Sequence, residues 1–309
     1  MRVGFFGTPE IASYVLQHIC NIFDIVFLVA PEDKKCGRAM KLQECAAKEF
    51  ATCSDIPVIQ PGNLRDPEFA DILKSYNADI FVVVAYGKLI PENIFNMPRC
   101  GTINLHPSLL PEYRGAAPVQ WALINGDDET GVTVQMINEE LDAGDIVLQE
   151  KIEIDGEITA GELFELVFPI GAEMIVKAIN LLGSGDAELK KQVHSEATYC
   201  GKIDKDMSQI IWDKDSFSIH NLVRGLNPKP VAWTTFRGHH MKIWKTAIFE
   251  GDCPELKAGE IRRFEKKRLL AGTGNGIIEI LEIQPENKKR MDGLSFINGY
   301  RLEAGESFG

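Results

Sequence analysis

Along the first 150 residues, short apolar runs alternate with stretches in which apolar residues recur every three or four positions. Residues 2–7 read as a buried-type strand. Thr8 then supplies a helix N-cap, with Pro9 at the first helical position and Ile11, Val15, Leu16 and Ile19 as an apolar stripe. A second strand over 23–30 runs into a polar loop at 31–41. Helices follow at 42–53 and at 67–76, the latter with Phe69, Ile72 and Leu73 inward, and a short strand at 56–59 separates them. Residues 79–85 are almost uniformly β-branched or aromatic, the mark of a strand covered on both faces. Ile103 and Leu105 alternate with Asn104 and His106 until Pro107 removes a ladder donor. After a helix at about 117–125, two alternating arms within 130–150 flank Glu139–Gly144 and predict two strands with a tight connection. Strands alternating with helices predict a Rossmann-like α/β domain.

The pattern then changes. Thr159 and Glu162 have the spacing of a capping box for a long helix with Leu163, Leu166, Val167, Ile170, Met174, Val176 and Ile179 on its apolar face. Pro169 should kink that helix. Residues 187–207 read as a connection. A helix carrying Ile219, Leu222 and Val223 precedes closely spaced short strands at 234–236, 241–248, 259–263, 269–271 and 276–283. That spacing predicts a small antiparallel barrel of the OB-like kind. The expected division is 1–186, a linker at 187–207, and 208–309. No apolar run is read as membrane-spanning, and the opening residues lack the layout of a signal peptide, so a cytoplasmic location and no membrane partner are expected.

Charge alters this picture in one respect. The net charge is −12, but residues 202–309 carry 18 Lys and Arg against 15 Asp and Glu, whereas residues 1–201 carry 15 against 30. So acidic a chain is a poor general binder of nucleic acid, and any such contact must come from local clusters. Lys34, Lys35, Arg38 and Lys41 in the first loop form one; Arg262, Arg263, Lys266, Lys267 and Arg268 form another, and Lys288, Lys289 and Arg290 a third. On the residues alone the first reads better as a solvated surface loop, and the other two equally as solvated hairpin loops. Seven cysteines with no CxxC pair indicate free thiols, and no metal site is expected.

The chemistry concentrates at strand ends. Asn104 and His106 share a face at the carboxyl end of their strand, where open α/β sheets bind ligands. An amide able to bind a carbonyl oxygen beside an imidazole able to move a proton makes a small reaction centre. Asp142, in the 139–144 connection, could face His106 and fix its tautomer. Alone, these residues fit equally a capped strand and an Asx turn with Gly144. Ala85, Tyr86 and Gly87 follow another strand's carboxyl end and suit a ligand for the same reason, or form a simple turn. Gly4 and Gly7 do not complete GxGxxG, so nucleotide binding is not indicated.

Asn104, His106 and Asp142, with Ser108-Leu109-Leu110-Pro111 and Arg114-Gly-Ala-Ala-Pro118, resemble the signature of the folate-dependent formyltransferases. The Arg-Gly-Ala-Ala-Pro form followed by Gln120-Trp121 resembles the branch that acts on methionyl-tRNA, and Asn227-Pro-Lys-Pro-Val-Ala-Trp233 is similar to a stretch of that branch's second domain. The resemblance covers nearly the whole chain. It implies transfer of formyl from 10-formyltetrahydrofolate to the α-amine of methionyl initiator tRNA by a monomer. Asn104, His106 and Asp142 would be catalytic; Ser108–Pro111 and Ala85–Gly87 would line the folate site. The 31–41 loop would grip the tRNA acceptor end, with Arg38 in the position of its key arginine. A sister formyltransferase or hydrolase would share the three polar residues. A non-catalytic RNA-binding protein would have no need of them together.

Overall fold

The first strand of the chain lies in the middle of its sheet. In the computed structural model, which describes residues 1–36, 41–252 and 255–309, seven strands run in the order Ile146–Glu153, Glu129–Met136, Thr102–His106, Ile80–Val84, Arg2–Gly7, Asp24–Val29, Val58–Ile59. The last five are mutually parallel, and Glu129–Met136 runs antiparallel to Thr102–His106. From Arg2–Gly7 the chain builds outward to one edge, then returns to build the other. The carboxyl ends of Arg2–Gly7, Ile80–Val84 and Thr102–His106 therefore share one edge of the sheet at its switch point.

Why these residues make these strands is visible in the core. All five residues of Ile80–Val84 are buried, as β-branched and aromatic side chains on a doubly covered strand should be. Phe6, Phe27 and Phe81 pack with centroids 5.4–6.1 Å apart. A Cβ at Gly4 would run into the Phe27 and Phe81 rings, so only glycine lets the strand approach them.

Several boundaries differ from the sequence pattern. The first helix is Glu10–Ile19 with Pro9 as its N-cap, because the Thr8 hydroxyl donates to the Tyr86 carbonyl at 3.2 Å instead of capping. The second helix starts only at Ala46; Lys41–Gln43 is a strand, paired antiparallel to Lys34–Cys36, so the stretch read as a loop carries a hairpin whose backbone groups satisfy each other. In Pro67–Ser75 the buried face is Phe69, Ala70 and Leu73, while Ile72 is exposed, since it sits about 100° around the helix from Leu73. The helix Ala160–Ser184 carries Pro169 within it, and by length and apolar content it would suffice to cross a membrane, contrary to the sequence reading. Leu163, Val167, Met174, Ile175 and Ile179 on it are nonetheless buried inside the protein. Leu166, expected inward, is exposed. Its capping box forms as expected, with the Glu162 amide donating to the Thr159 hydroxyl at 3.3 Å and the Thr159 amide to the Glu162 carboxylate at 2.9 Å.

By internal packing the chain forms two compact units that interleave along the sequence: 1–115, 131–152 and 165–199, then 116–130, 153–164 and 200–309. In the second unit an antiparallel sheet runs Ala232–Phe236, His239–Ile248, Ile277–Pro285, Arg268–Gly272, Ile261–Phe264, with Met291–Asp292 paired to Ile277–Pro285. His239–Ile248 lies beside Ile277–Pro285 and not beside its successor, a Greek-key arrangement. The last residues of the chain join the two edges. Glu306 and Phe308 exchange backbone hydrogen bonds with Ile261 and Gly259, and Gly309 with Thr235. The sheet is thereby closed into the small barrel that the strand spacing predicts. Its core includes Trp212, Phe236, Ile243, Ile261, Phe296 and Phe308. Phe296 belongs to a helix, Gly293–Tyr300, that the strand pattern did not reveal.

Candidate active site

The strand Thr102–His106 delivers Asn104 and His106 to one face, and its register sets Asn104 opposite Gln135 and His106 opposite Thr133. Directly opposed residues share a face, so Gln135 stands beside Asn104. Asp142 arrives from the connection between Glu129–Met136 and Ile146–Glu153. A Cβ at Gly144 would run into the Met136 carbonyl, so the connection can fold this tightly only with glycine there.

Asp142 is the hub. Its Oδ1 accepts from Gln135 Nε2 at 3.0 Å and from Asn104 Nδ2 at 3.4 Å; its Oδ2 accepts from the Gly115 amide at 2.9 Å and lies 3.7 Å from His106 Nδ1. The side chains of His106 and Asp142 are only 5% and 11% exposed, so the pair works largely out of water. The Asx turn in this connection is made by Asn138, which accepts from the Glu140 amide at 3.0 Å, and Asp142 is left to the site. His106 Nε2 lies 2.9 Å from the Tyr113 carbonyl. A carbonyl only accepts, so Nε2 carries the proton, and Nδ1 is the ring atom turned to Asp142.

Three non-glycine residues near this edge hold left-handed backbone: Ala85 at φ 47°, Tyr113 at φ 56° and Asp142 at φ 50°. Each such conformation costs roughly 1–3 kcal/mol and survives only where the surroundings over-determine it. For Tyr113 the amide donates to the Thr198 hydroxyl at 2.8 Å. For Asp142, Gln192 Nε2 donates to its carbonyl at 3.0 Å, to Gly144 O at 2.8 Å and to Gln135 Oε1 at 3.3 Å. Arg114, only 2% exposed, in turn donates to Gln192 Oε1 from Nε at 3.1 Å and from Nη2 at 2.6 Å. Gln135, Gln192 and Thr198 were not singled out by sequence reasoning. Gln135 had a signal, a polar position opposite Asn104 in a strand otherwise rich in valine and threonine. Gln192 and Thr198 had none, because they lie in the polar stretch that reads as a connection.

The residues expected to line a ligand site divide. Ser108 is fully buried and donates to the Glu112 carbonyl at 2.6 Å; the turn it starts is pinned by Thr133, whose hydroxyl donates to Ser108 O at 2.6 Å and accepts from the Leu110 amide at 3.2 Å. Leu110 is buried, while Leu109 and Pro111 are partly exposed. Tyr86 turns its ring into the core against Phe6, at 5.6 Å between centroids, and its hydroxyl is buried without a partner. Burial pushes that hydroxyl up to about 12, so it stays protonated. Ala85 and Gly87, on either side of Tyr86, are exposed. Lys34, Lys35 and Lys41 belong to the hairpin strands, and Arg38 lies outside the described residues.

On the barrel, many of the basic residues are already partnered. Arg262 pairs with Glu260 at 3.0 Å, Arg268 with Glu279 at 2.7 Å, and Arg290 with Glu282 at 3.0 Å. Arg290 also stacks on Trp244, 3.6 Å from its ring centroid, and Lys288 lies over Tyr300 at 4.8 Å.

Comparison with known proteins aligns with this geometry. The formyl transferase family model matches residues 1–179, and the model described as formyl transferase, C-terminal domain, matches 202–301. Among curated relatives, the methionyl-tRNA formyltransferase of Clostridioides difficile strain 630 is 42% identical over 306 residues, covering 99% of both chains. That of Lachnospira eligens is 41% identical over the full length of both. Among solved structures, the sugar 3N-formyl transferase WlaRD, crystallised with dTDP and 5-N-formyl-THF, superposes with a TM-score of 0.67 at 22% identity, over 94% of this chain and 99% of its own. HypX from Aquifex aeolicus in complex with tetrahydrofolic acid gives a TM-score of 0.64 at 17% identity, over 99% of this chain and 48% of its own. At such identity these two structures speak for the fold alone.

Proposed function

The chain belongs to the formyl transferase family, and on that premise we propose that it transfers the formyl group of 10-formyltetrahydrofolate to the α-amine of methionyl initiator tRNA. The observation that carries the chemistry is the Asp142 carboxylate set between the Asn104 amide and the His106 ring. The substrate rests on full-length relatives of 36–42% identity that share one name. The functional division is assigned as 1–186, 187–207 and 208–309; the family matches, over 1–179 and 202–301, lie near it, the second beginning within 187–207.

An α-amine with a pKa of about 8 is largely protonated at neutral pH, so the enzyme must take a proton before attack. It must also stabilise the oxyanion that forms as the amine nitrogen adds to the formyl carbon. Asn104 has two amide hydrogens. One is committed to Asp142, and the other is available to the formyl oxygen. His106 Nδ1, facing Asp142, takes the proton, and Asp142 holds the resulting imidazolium. The ammonium loses two protons on becoming an amide nitrogen: one passes to solvent, and the other, held on His106, goes to the folate nitrogen as its bond to the formyl carbon breaks. The residues fit such a co-substrate: Asn104 is partly exposed, and the exposed Ala85 and Gly87 follow the adjacent strand on the same edge of the sheet. Ser108–Pro111 and Ala85–Gly87 are assigned to the folate site, with Ser108, Leu110 and Tyr86 shaping it from beneath and Ala85, Leu109 and Gly87 at its surface. Lys34, Lys35, Arg38 and Lys41 are assigned to the acceptor end of the tRNA. The enzyme acts as a cytoplasmic monomer in translation initiation.

The test is formyl transfer to charged initiator tRNA, compared with charged elongator tRNA and with free amines at matched concentration. Preference for the initiator is the expected result. Equal or better transfer to a small amine would reassign the protein to a sister activity.

A further inference from the structure

We propose that Gln192, oriented by Arg114, is a positioning residue for the reaction. It holds the Asp142 backbone in its left-handed conformation and aims the Gln135 amide at the Asp142 carboxylate. This rests on the reading of Asp142 as catalytic.

The direction of the hydrogen bonds makes the case. A guanidinium has donors only, so Gln192 must present its oxygen to Arg114 Nε and Nη2, at 3.1 and 2.6 Å. Its nitrogen then faces the carbonyls of Asp142 and Gly144, at 3.0 and 2.8 Å. Turning the amide over would set donors against donors and oxygen against carbonyls, losing every one of these bonds. That nitrogen has two hydrogens for three acceptors, so the longest contact, to Gln135 Oε1 at 3.3 Å, shares a hydrogen with a carbonyl, and Gln135 Nε2 is left to donate to Asp142 Oδ1 at 3.0 Å. A buried cation thus sets the sense of a chain of donors that ends on the reacting carboxylate. Each bond polarises the next in surroundings with little water. Arg114 and Gln192 are 2% and 6% exposed, and Gln135 is 2% exposed. The only partner of the Arg114 guanidinium shown among the described residues is the neutral Gln192 side chain. A carboxylate at this place would neutralise the guanidinium, at the cost of desolvating a second ion. Gln192 gives up that pairing, and what it gains is two donor hydrogens for the Asp142 turn.

The decisive variant is Gln192→Glu. It has the same shape, and its carboxylate pairs with Arg114, yet it cannot donate to Asp142 O, Gly144 O or Gln135. With 10-formyltetrahydrofolate and charged initiator tRNA, we expect kcat to fall between about tenfold and a hundredfold, the cost of misplacing a reacting group. The KM for each substrate should hold, while the melting temperature should drop because the Asp142 and Gly144 carbonyls lose their donor. Gln192→Met, which neither donates nor pairs, tests the same loss without adding a charge, and should give a similar fall in kcat. A Gln192→Glu enzyme with wild-type kcat overturns the proposal, as does a loss confined to either KM. Failure of both variants to fold also overturns it, since the pair would then be purely structural. Asp142→Asn run alongside separates two failures. If it stays active, the reading of the site is wrong; if it is inactive while Gln192→Glu is normal, only this inference falls.

Discussion

Polar groups are deployed in opposite ways around Asp142 and along the strands of the barrel. Around Asp142 they are buried and convergent: His106, Arg114, Gln135 and Gln192 are each under 7% exposed, His106 and Gln135 facing its carboxylate and Gln192, held by Arg114, its backbone carbonyl. On the barrel strands the charges are partly exposed and pair locally, as Arg262 does with Glu260 two residues away and Arg290 with Glu282. The difference follows from solvation. A polar group out of water must find a partner or cost several kcal/mol, so every member of the buried set constrains the others. A surface pair exchanges its partner for water at little cost. The first arrangement suits chemistry that needs atoms held in place, and the second suits contact with a charged, solvated surface. Stability on the barrel comes from elsewhere, from an apolar core closed by the final residues of the chain.

The largest effect expected is at the convergent set. His106→Ala and Asp142→Ala should each lower turnover by about 10²- to 10⁴-fold in folded protein, the range of general acid–base catalysis. The double variant should fall short of the product of the two, because the residues act as a unit. Steady-state kinetics on both would break the comparison if a folded His106→Ala enzyme turned over near the normal rate.

Next in size is barrel closure. Phe308 is 4% exposed and stacks on Trp212 with centroids 5.3 Å apart. Phe308→Ala should cost about 3–5 kcal/mol in denaturant unfolding of the second unit, as aromatic truncations in cores do. Removing residues 306–309 should cost at least as much. An unchanged midpoint would mean that the tail does not close the barrel.

A smaller effect is expected at Arg38. Arg38→Ala should weaken use of charged tRNA while leaving folate binding and melting temperature unchanged. If the contact is to phosphate, the slope of log affinity against log salt should drop by about one. Arg38→Lys should recover only part, since a point charge does not replace a planar fork. Equal kinetics for all three proteins at two salt concentrations would remove the assigned role.

The smallest is the surface pairing. Arg262→Ala should change stability by less than about 1 kcal/mol, the usual value for exposed pairs. A loss of several kcal/mol would erase the distinction between the two regions.

How much of this was legible beforehand depends on the range of each interaction. Alternation over 103–106 placed Asn104 and His106 on one face, and the Thr159–Glu162 spacing placed a capping box. Strand spacing announced the barrel. Each of these is written in neighbours a few residues apart, where backbone period fixes which side chains share a face. Tertiary structure alone decided the rest. Asp142 joins Asn104 across 38 residues and Gln192 reaches the Asp142 carbonyl across 50. The Tyr86 ring chose the core over the ligand edge. The Thr8 hydroxyl left its helix for a carbonyl 78 residues on. Residues 306–309 sealed the barrel with backbone bonds that any side chains would allow. A single amide or hydroxyl bonding at such range leaves no periodic trace in the chain. Which partner it takes is settled only when the sheet and its connections have brought the donors and acceptors into reach.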